Sequence, residues 1–182
     1  DVHMIQDDWN RSTYPLVPGH EVVGVIVQKG ALVSLGVGMC VGVSWVRSAC
    51  LNCPFCLRGE TNICPEKKGC YNQGRFGGFA DHMVADSRFV YPIPPTLSPA
   101  FAAPLLCAGA TVYGALRHYN VDGTQKVGVI GIGGLGHLAL QFSRALGCET
   151  AALSHSPSKE KQARKYGADS FYCLDKLPPP FS

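Results

Sequence analysis

The chain has 182 residues, 46% of them hydrophobic and 16% charged, with a net charge of +3. That length fits one large domain or two small ones, and so mild a charge, with Lys and Arg scattered, excludes the electrostatic footprint of a nucleic-acid binder. No apolar run approaches the roughly 20 residues that span a bilayer and no basic–apolar–small leader opens the chain, so a soluble, cytoplasmic protein with no membrane partner is expected.

Read from the start, residues 20–30 (HEVVGVIVQKG) form a run rich in β-branched residues that Gly30 stops, which predicts a strand. Residues 40–46 (CVGVSWV) alternate with period two and predict another. Gly and Pro punctuate everything from Val17 to Pro95, the pattern of an irregular, Gly-rich β domain. The character changes near Ser98-Pro99, a helix-start pair followed by an apolar run that Pro104 breaks, and Cys107 to Tyr119 predicts a further helix. Val127 to Ile130 then reads as a short buried strand, and Leu135, Leu138, Ala139, Phe142 and Leu146 recur at helical spacing. A second strand (ETAALSH), a polar helix over Pro157 to Tyr166 and a third strand (DSFYCL) follow. Alternating strands and helices of this kind make half of a doubly wound nucleotide-binding sheet. The expected class is therefore α/β plus β: a β domain over 1–107 and a partial α/β domain over 108–182. The first residue is Asp1 rather than Met and the end is Pro-rich (DKLPPPFS), so both ends are expected to be cut from something longer.

Four of the nine cysteines, Cys50, Cys53, Cys56 and Cys64, fall in the spacing C-x2-C-x2-C-x7-C. Zn²⁺ favours four thiolates in a tetrahedron, and closed four-ligand sites are structural. Two-residue gaps let neighbouring sulfurs face one centre while a longer arm brings back the fourth. The set holds no His or carboxylate and no open position, against hydrolytic or Lewis-acid chemistry. An iron–sulfur cluster, a disulfide pair and a zinc-ribbon nucleic-acid module remain as alternatives; the last has only Arg58, Lys67 and Lys68 nearby to offer.

The stretch GIGGLG (Gly131, Ile132, Gly133, Gly134, Leu135, Gly136) matches G-x-G-x-x-G between a hydrophobic strand and an amphipathic helix, the context a dinucleotide turn requires. Its glycines let the backbone approach a pyrophosphate, and the helix start supplies amide donors. After the second strand come Ser154, His155, Ser156 and Lys159, with no acid until Glu160. Hydroxyl donors and a cation suit a 2′-phosphate, which favours NADP(H) over NAD(H).

Two further fragments, PGHE ending in His20-Glu21 and PLLCAGATVY carrying Cys107, are unremarkable alone. Together with the cysteine cluster and the glycine turn, in this order and spacing, they make the chain resemble the zinc-dependent medium-chain alcohol dehydrogenases, most nearly the cinnamyl alcohol dehydrogenase and aldehyde reductase branch. The resemblance implies a GroES-like catalytic domain carrying a structural-zinc lobe at about residues 47–70, then the first half of a Rossmann domain. It implies that His20 and Cys107 are catalytic-zinc ligands with Glu21 beside them, that Asp1 orients His20, that His3 relays a proton, and that Thr111 lies near the nicotinamide. It further implies a small alcohol or aldehyde substrate and a homodimer for the complete enzyme. The family's first catalytic-zinc ligand falls three positions before Asp1 and its proton-accepting Ser or Thr immediately before, so a catalytic zinc that is weakly held or absent is expected in this chain. Leu51 and Met39 stand where the family usually has Gly and Asp. The competing expectation is a catalytically inactive zinc- and nucleotide-binding remnant or interaction module.

Overall fold

The structure, a computed structural model, describes residues 1–70 and 77–176. The Pro-rich end expected from the sequence lies outside the described residues from position 177 onward. The chain divides into two compact units, Asp1–Cys107 and Ala108–Ser182. No single helix among the described residues is long and apolar enough to cross a membrane.

The first unit opens with a short helix, α1 (Val2–Ile5), anchored by buried Met4. Strands β1 (Val22–Val25) and β2 (Cys40–Val43) then pair antiparallel, with Val22 opposite Val43 and Val25 opposite Cys40. The run that the sequence extends to Gly30 stops pairing just past Val25. Ile26 still exchanges backbone hydrogen bonds with Met39 and Gly38 (3.0 and 2.8 Å), and there the partner strand ends. A strand is as long as its partner allows.

The single strand expected over 40–46 is two. After Val43 the chain turns away at Ser44, whose hydroxyl donates to the Leu106 carbonyl (2.6 Å) while its own carbonyl faces the Cys70 thiol (3.1 Å). Strand β3 (Val46–Ser48) begins a second, separate sheet, and helix α2 (Pro54–Leu57) follows in the cysteine lobe. Strand β4 (Lys68–Gly69) pairs with β3, and β5 (Val90–Pro92) returns to the outer edge of β2. Pro92 lacks an amide donor, which suits the free side of an edge strand. Helix α3 (Pro99–Ala102) and a 3₁₀ turn over Ala103–Leu106 close the unit. The Ser98 side chain does not cap that helix.

In the second unit, α4 (Ala108–His118) precedes β6 (Lys126–Ile130), α5 (Gly136–Ala145), β7 (Glu149–Ser154), α6 (Glu160–Lys165) and β8 (Ser170–Cys173). The three strands are parallel in the order β6-β7-β8. Val129, Ile132, Leu140, Ala152, Ala163 and Ala168 form the core between sheet and helices. The helical periodicity located α5 but not its deepest edge. Gly136, Leu140 and Ser143 are buried, whereas Leu135 is exposed and Phe142 meets Tyr113 of α4 at 5.6 Å between ring centroids. The apolar stripe read from the sequence thus borders the sheet-facing edge, and one of its residues packs on a helix.

Leu51 sits at φ 61°, in the left-handed region. The substituted glycine position is therefore a real constraint, since a branched side chain there costs about 1 kcal/mol or more. Leu51→Gly is expected to raise the stability of the zinc-loaded chain by about 1 kcal/mol in chemical denaturation; a destabilised variant would show that the Leu51 side chain contributes packing that outweighs the strain.

Candidate functional site

The cysteine lobe folds through short, local bonds. Cys53 is the N-terminal cap of α2, Pro54 sets its first turn, and Cys56 sits within it. Backbone bonds from Arg58, Gly59 and Glu60 turn the chain back toward a 3₁₀ turn at Thr61–Ile63, which delivers Cys64. Cys50 Sγ lies 3.5 Å from Cys64 Sγ and 3.9 Å from Cys56 Sγ, and the four sulfurs all fall within 4.8 Å of one another. Zn–S bonds of about 2.3 Å in a tetrahedron put sulfurs about 3.8 Å apart, so the set fits one zinc ion. The separations are far beyond a disulfide bond of about 2.05 Å, and the cysteines are free thiols. Sulfurs this close surround a single ion rather than the several irons of a cluster, each with its own thiolate. Backbone N–H groups of Cys50 and Glu66 draw the Cys64 thiol down to about 7, while burial pushes Cys56 up to about 12. A dication is what makes all four thiolates compatible in one place.

A second group draws on both ends of the first unit. His20 Nε2 lies 3.2 Å from Cys107 Sγ, and Glu21 offers a carboxylate oxygen within 4.8 Å of both. Asp1 Oδ1 accepts from the Gly19 amide at 2.8 Å and stands 3.2 Å from His20 Nδ1. With Nδ1–H turned to a carboxylate, Nε2 is the ring nitrogen presented on the Cys107 side, the atom a metal would take. A tetrahedral ion shared by an imidazole and a thiolate sets N and S about 3.5 Å apart, close to the separation seen. Burial holds His20 below its usual range against the pull of Glu21, and burial with the Glu21 charge pushes the Cys107 thiol up.

His3, expected near this chemistry, is exposed on α1, where Nδ1 meets Asp8 Oδ2 at 2.6 Å and the ring lies 5.2 Å from Trp9. Thr111 is exposed on α4 in the second unit.

The glycine turn lines a cavity of about 450 Å³. Gly131, Ile132, Gly133, Leu135, Gly136, Ser154, His155 and Lys159 all contribute to its wall, so most of the sequence-selected residues come together. Gly134 and Ser156 are not in that wall, although the Ser156 amide donates to Ser154 Oγ at 3.1 Å. Gly131 takes φ +86°, and a Cβ on Gly136 would run into the Gly131 carbonyl oxygen. Nothing lies within 4 Å of where a Cβ would sit on Gly133 or Gly134, and the first turn of α5 carries no acid. Bare backbone at an uncapped helix start fits a pyrophosphate.

Three residues escaped the sequence reading. Ile130 and Leu174 line the cavity, and Asp175 Oδ1 stands 2.6 Å from His155 Nδ1. The acid sought after the second strand comes instead from the end of the third. The available signal was topological: in a parallel sheet all strands end on the same side, so residues after β8 belong with those after β7.

One equivalent of zinc, to within about a tenth, is expected to survive dialysis of the chain, and Cys64→Ala to abolish it. Loss of that equivalent in His20→Ala instead would show that the tight site is the wrong one of the two.

The alcohol dehydrogenase GroES-like domain family matches residues 1–95. The chain is 44% identical over 180 residues to a probable mannitol dehydrogenase of Fragaria ananassa, covering 94% of this chain and 50% of the relative. It is 42% identical, with the same coverage, to cinnamyl alcohol dehydrogenase 8 of Arabidopsis thaliana. In structure it is similar to a cinnamyl alcohol dehydrogenase of Sorghum bicolor, with a TM-score of 0.91, 37% identity, and coverage of 97% of this chain and 53% of that one. It is also similar to CAD of Helicobacter pylori, which was complexed with NADP(H), with a TM-score of 0.90, 30% identity, and coverage of 98% and 54%. The chain spans about half the length of the curated relatives it matches. With a GroES-like β unit and the opening strands of a Rossmann-like sheet, it belongs to the medium-chain alcohol dehydrogenases of the cinnamyl and mannitol dehydrogenase kind.

Proposed function

We propose that the protein interconverts a primary alcohol and its aldehyde with zinc and NADP(H). The observation that carries this reading is the pairing of His20 Nε2 with Cys107 Sγ at 3.2 Å, with Glu21 alongside and Asp1 on the far side of the imidazole. This is a mixed N/S/O donor set, unlike the all-sulfur lobe, and mixed sets with an open position are the catalytic kind. When bound there, zinc supplies Lewis acidity to a carbonyl or alkoxide oxygen.

The chain's own residues account for the rest. His20 and Cys107 hold the metal, Asp1 fixes the ring and tautomer of His20, and Glu21 occupies the neighbouring position without the permanence of a thiolate. His3 passes the proton to solvent in this reading, which its exposure and its contact with Asp8 support. In the second unit the amides of the glycine turn hold a pyrophosphate, and Ser154, His155 and Lys159 face the adenosine end. The four-sulfur lobe maintains the fold and takes no part in turnover.

Hydride transfer followed at the nicotinamide absorbance, using the 182-residue chain, NADPH and a panel of aliphatic and aromatic aldehydes, tests this reading. Turnover is expected that falls at least about a hundredfold in Cys107→Ala with the four-sulfur zinc retained. Absence of turnover in a chain loaded with two zinc ions would favour the inactive remnant.

A further inference from the structure

The sequence leaves the turn after β7 looking committed to phosphate, with two hydroxyls, an imidazole and a lysine. In the folded chain both basic groups are already engaged. Lys159 Nζ donates to the Ile132 carbonyl at 2.8 Å, and His155 Nδ1 meets Asp175 Oδ1 at 2.6 Å. His155 and Lys159 line the cavity together with Leu174, the residue before Asp175. We propose that Asp175 is a specificity-determining residue of this cleft, acting through His155 to weaken the preference for a 2′-phosphate and to admit a free 2′-hydroxyl. NAD(H) is then accepted alongside NADP(H). The inference rests on reading the cavity as the nucleotide site.

The chemistry follows from which nitrogen Asp175 takes. A carboxylate facing Nδ1 holds the ring proton there, leaving Nε2 as the free ring atom. On a neutral imidazole Nε2 is an acceptor. A ribose hydroxyl can donate to it, whereas a phosphate dianion only accepts and has nothing to give. If the imidazole is charged, the Asp175 carboxylate offsets that charge and itself repels the dianion. Either way the carboxylate counts against the phosphate and not against the hydroxyl. Lys159 spends one of its three N–H donors on the Ile132 carbonyl, which tethers the ammonium in the wall and leaves two donors for a phosphate, so the Asp175 effect is read on top of an attraction that Lys159 keeps. The ion pair is exposed, at 75% for His155 and 62% for Asp175, so exchanging the acid for its amide leaves the fold in place.

The test is calorimetric binding of adenosine 2′,5′-bisphosphate and of 5′-AMP to the 182-residue chain and to Asp175→Asn, Asp175→Glu and His155→Gln. Asp175→Asn is expected to bind the bisphosphate about three- to tenfold more tightly, as an exposed charge near a dianion implies, with 5′-AMP changed by less than about twofold. Asp175→Glu keeps the parent ratio, and in a His155→Gln background the Asp175→Asn gain shrinks. An unchanged ratio in Asp175→Asn, or a gain that persists undiminished without His155, overturns the proposal while leaving the nucleotide site standing. Failure of the parent chain to bind either nucleotide overturns both the nucleotide site and this inference.

Discussion

The seating of the Ala103–Leu106 turn against β2 is the constraint on which the His20, Glu21 and Cys107 group depends. Gly42 has no side chain, and the space a Cβ would fill is occupied by Leu106, whose Cδ atoms would lie 2.8 Å from it. On the same strand the Ser44 hydroxyl ties down the Leu106 carbonyl. A side-chain-free position, an isobutyl group pressed into it and one hydrogen bond together fix the residue immediately before Cys107. The thiol is thereby delivered to an imidazole 87 positions earlier in the chain. His20 arrives by the opposite route, just ahead of β1, which pairs with the same β2. One strand thus sets the distance between two donor side chains that local sequence could never bring together, a long loop closure that only packing can offset.

The two donor groups of the first unit illustrate how composition and locality divide labour. The four sulfurs are contributed within fifteen residues by turns that fold on themselves, so the site is closed by short-range bonds. The His20 group is assembled from distant segments, is only half-buried, and mixes nitrogen, sulfur and oxygen. Closed, uniform, local sites hold structure together, while open, mixed, long-range ones carry chemistry. The left-handed Leu51 inside the lobe is consistent with this division, since four sulfurs held by one ion would fix the geometry and make such strain tolerable.

Much of this was legible in the sequence because its signals are short-range. The cysteine spacing and the strand–glycine–helix pattern at 126–145 are local, and the parallel strands of the second unit lie within a residue or two of expectation, while the helix expected over Pro157 to Tyr166 is α-helical only from Glu160, its first three residues forming a 3₁₀ turn. What the sequence hid is what partners decide. The strand expected to Gly30 pairs no further than Ile26 because β2 offers nothing beyond it, and the one expected through Val46 breaks where Ser44 bonds elsewhere. In α5 the buried edge runs through Gly136 and Ser143, residues no hydrophobicity pattern selects. Asp175 was invisible for the same reason: twenty residues of sequence separate it from His155, and only the parallel order of β7 and β8 brings them side by side.

Conspicuous cysteines that brace the fold, beside a scattered mixed site that carries the chemistry, make a division of labour between two ions. X-ray absorption at the zinc edge, read at one and then at two equivalents of added zinc, tests it most directly. The first ion is expected to be ringed by sulfur alone at about 2.3 Å, and the second to have a shell that contains imidazole nitrogen and is lost in His20→Ala. Nitrogen or oxygen in the shell of the first ion, or a second ion indifferent to His20, would contradict it.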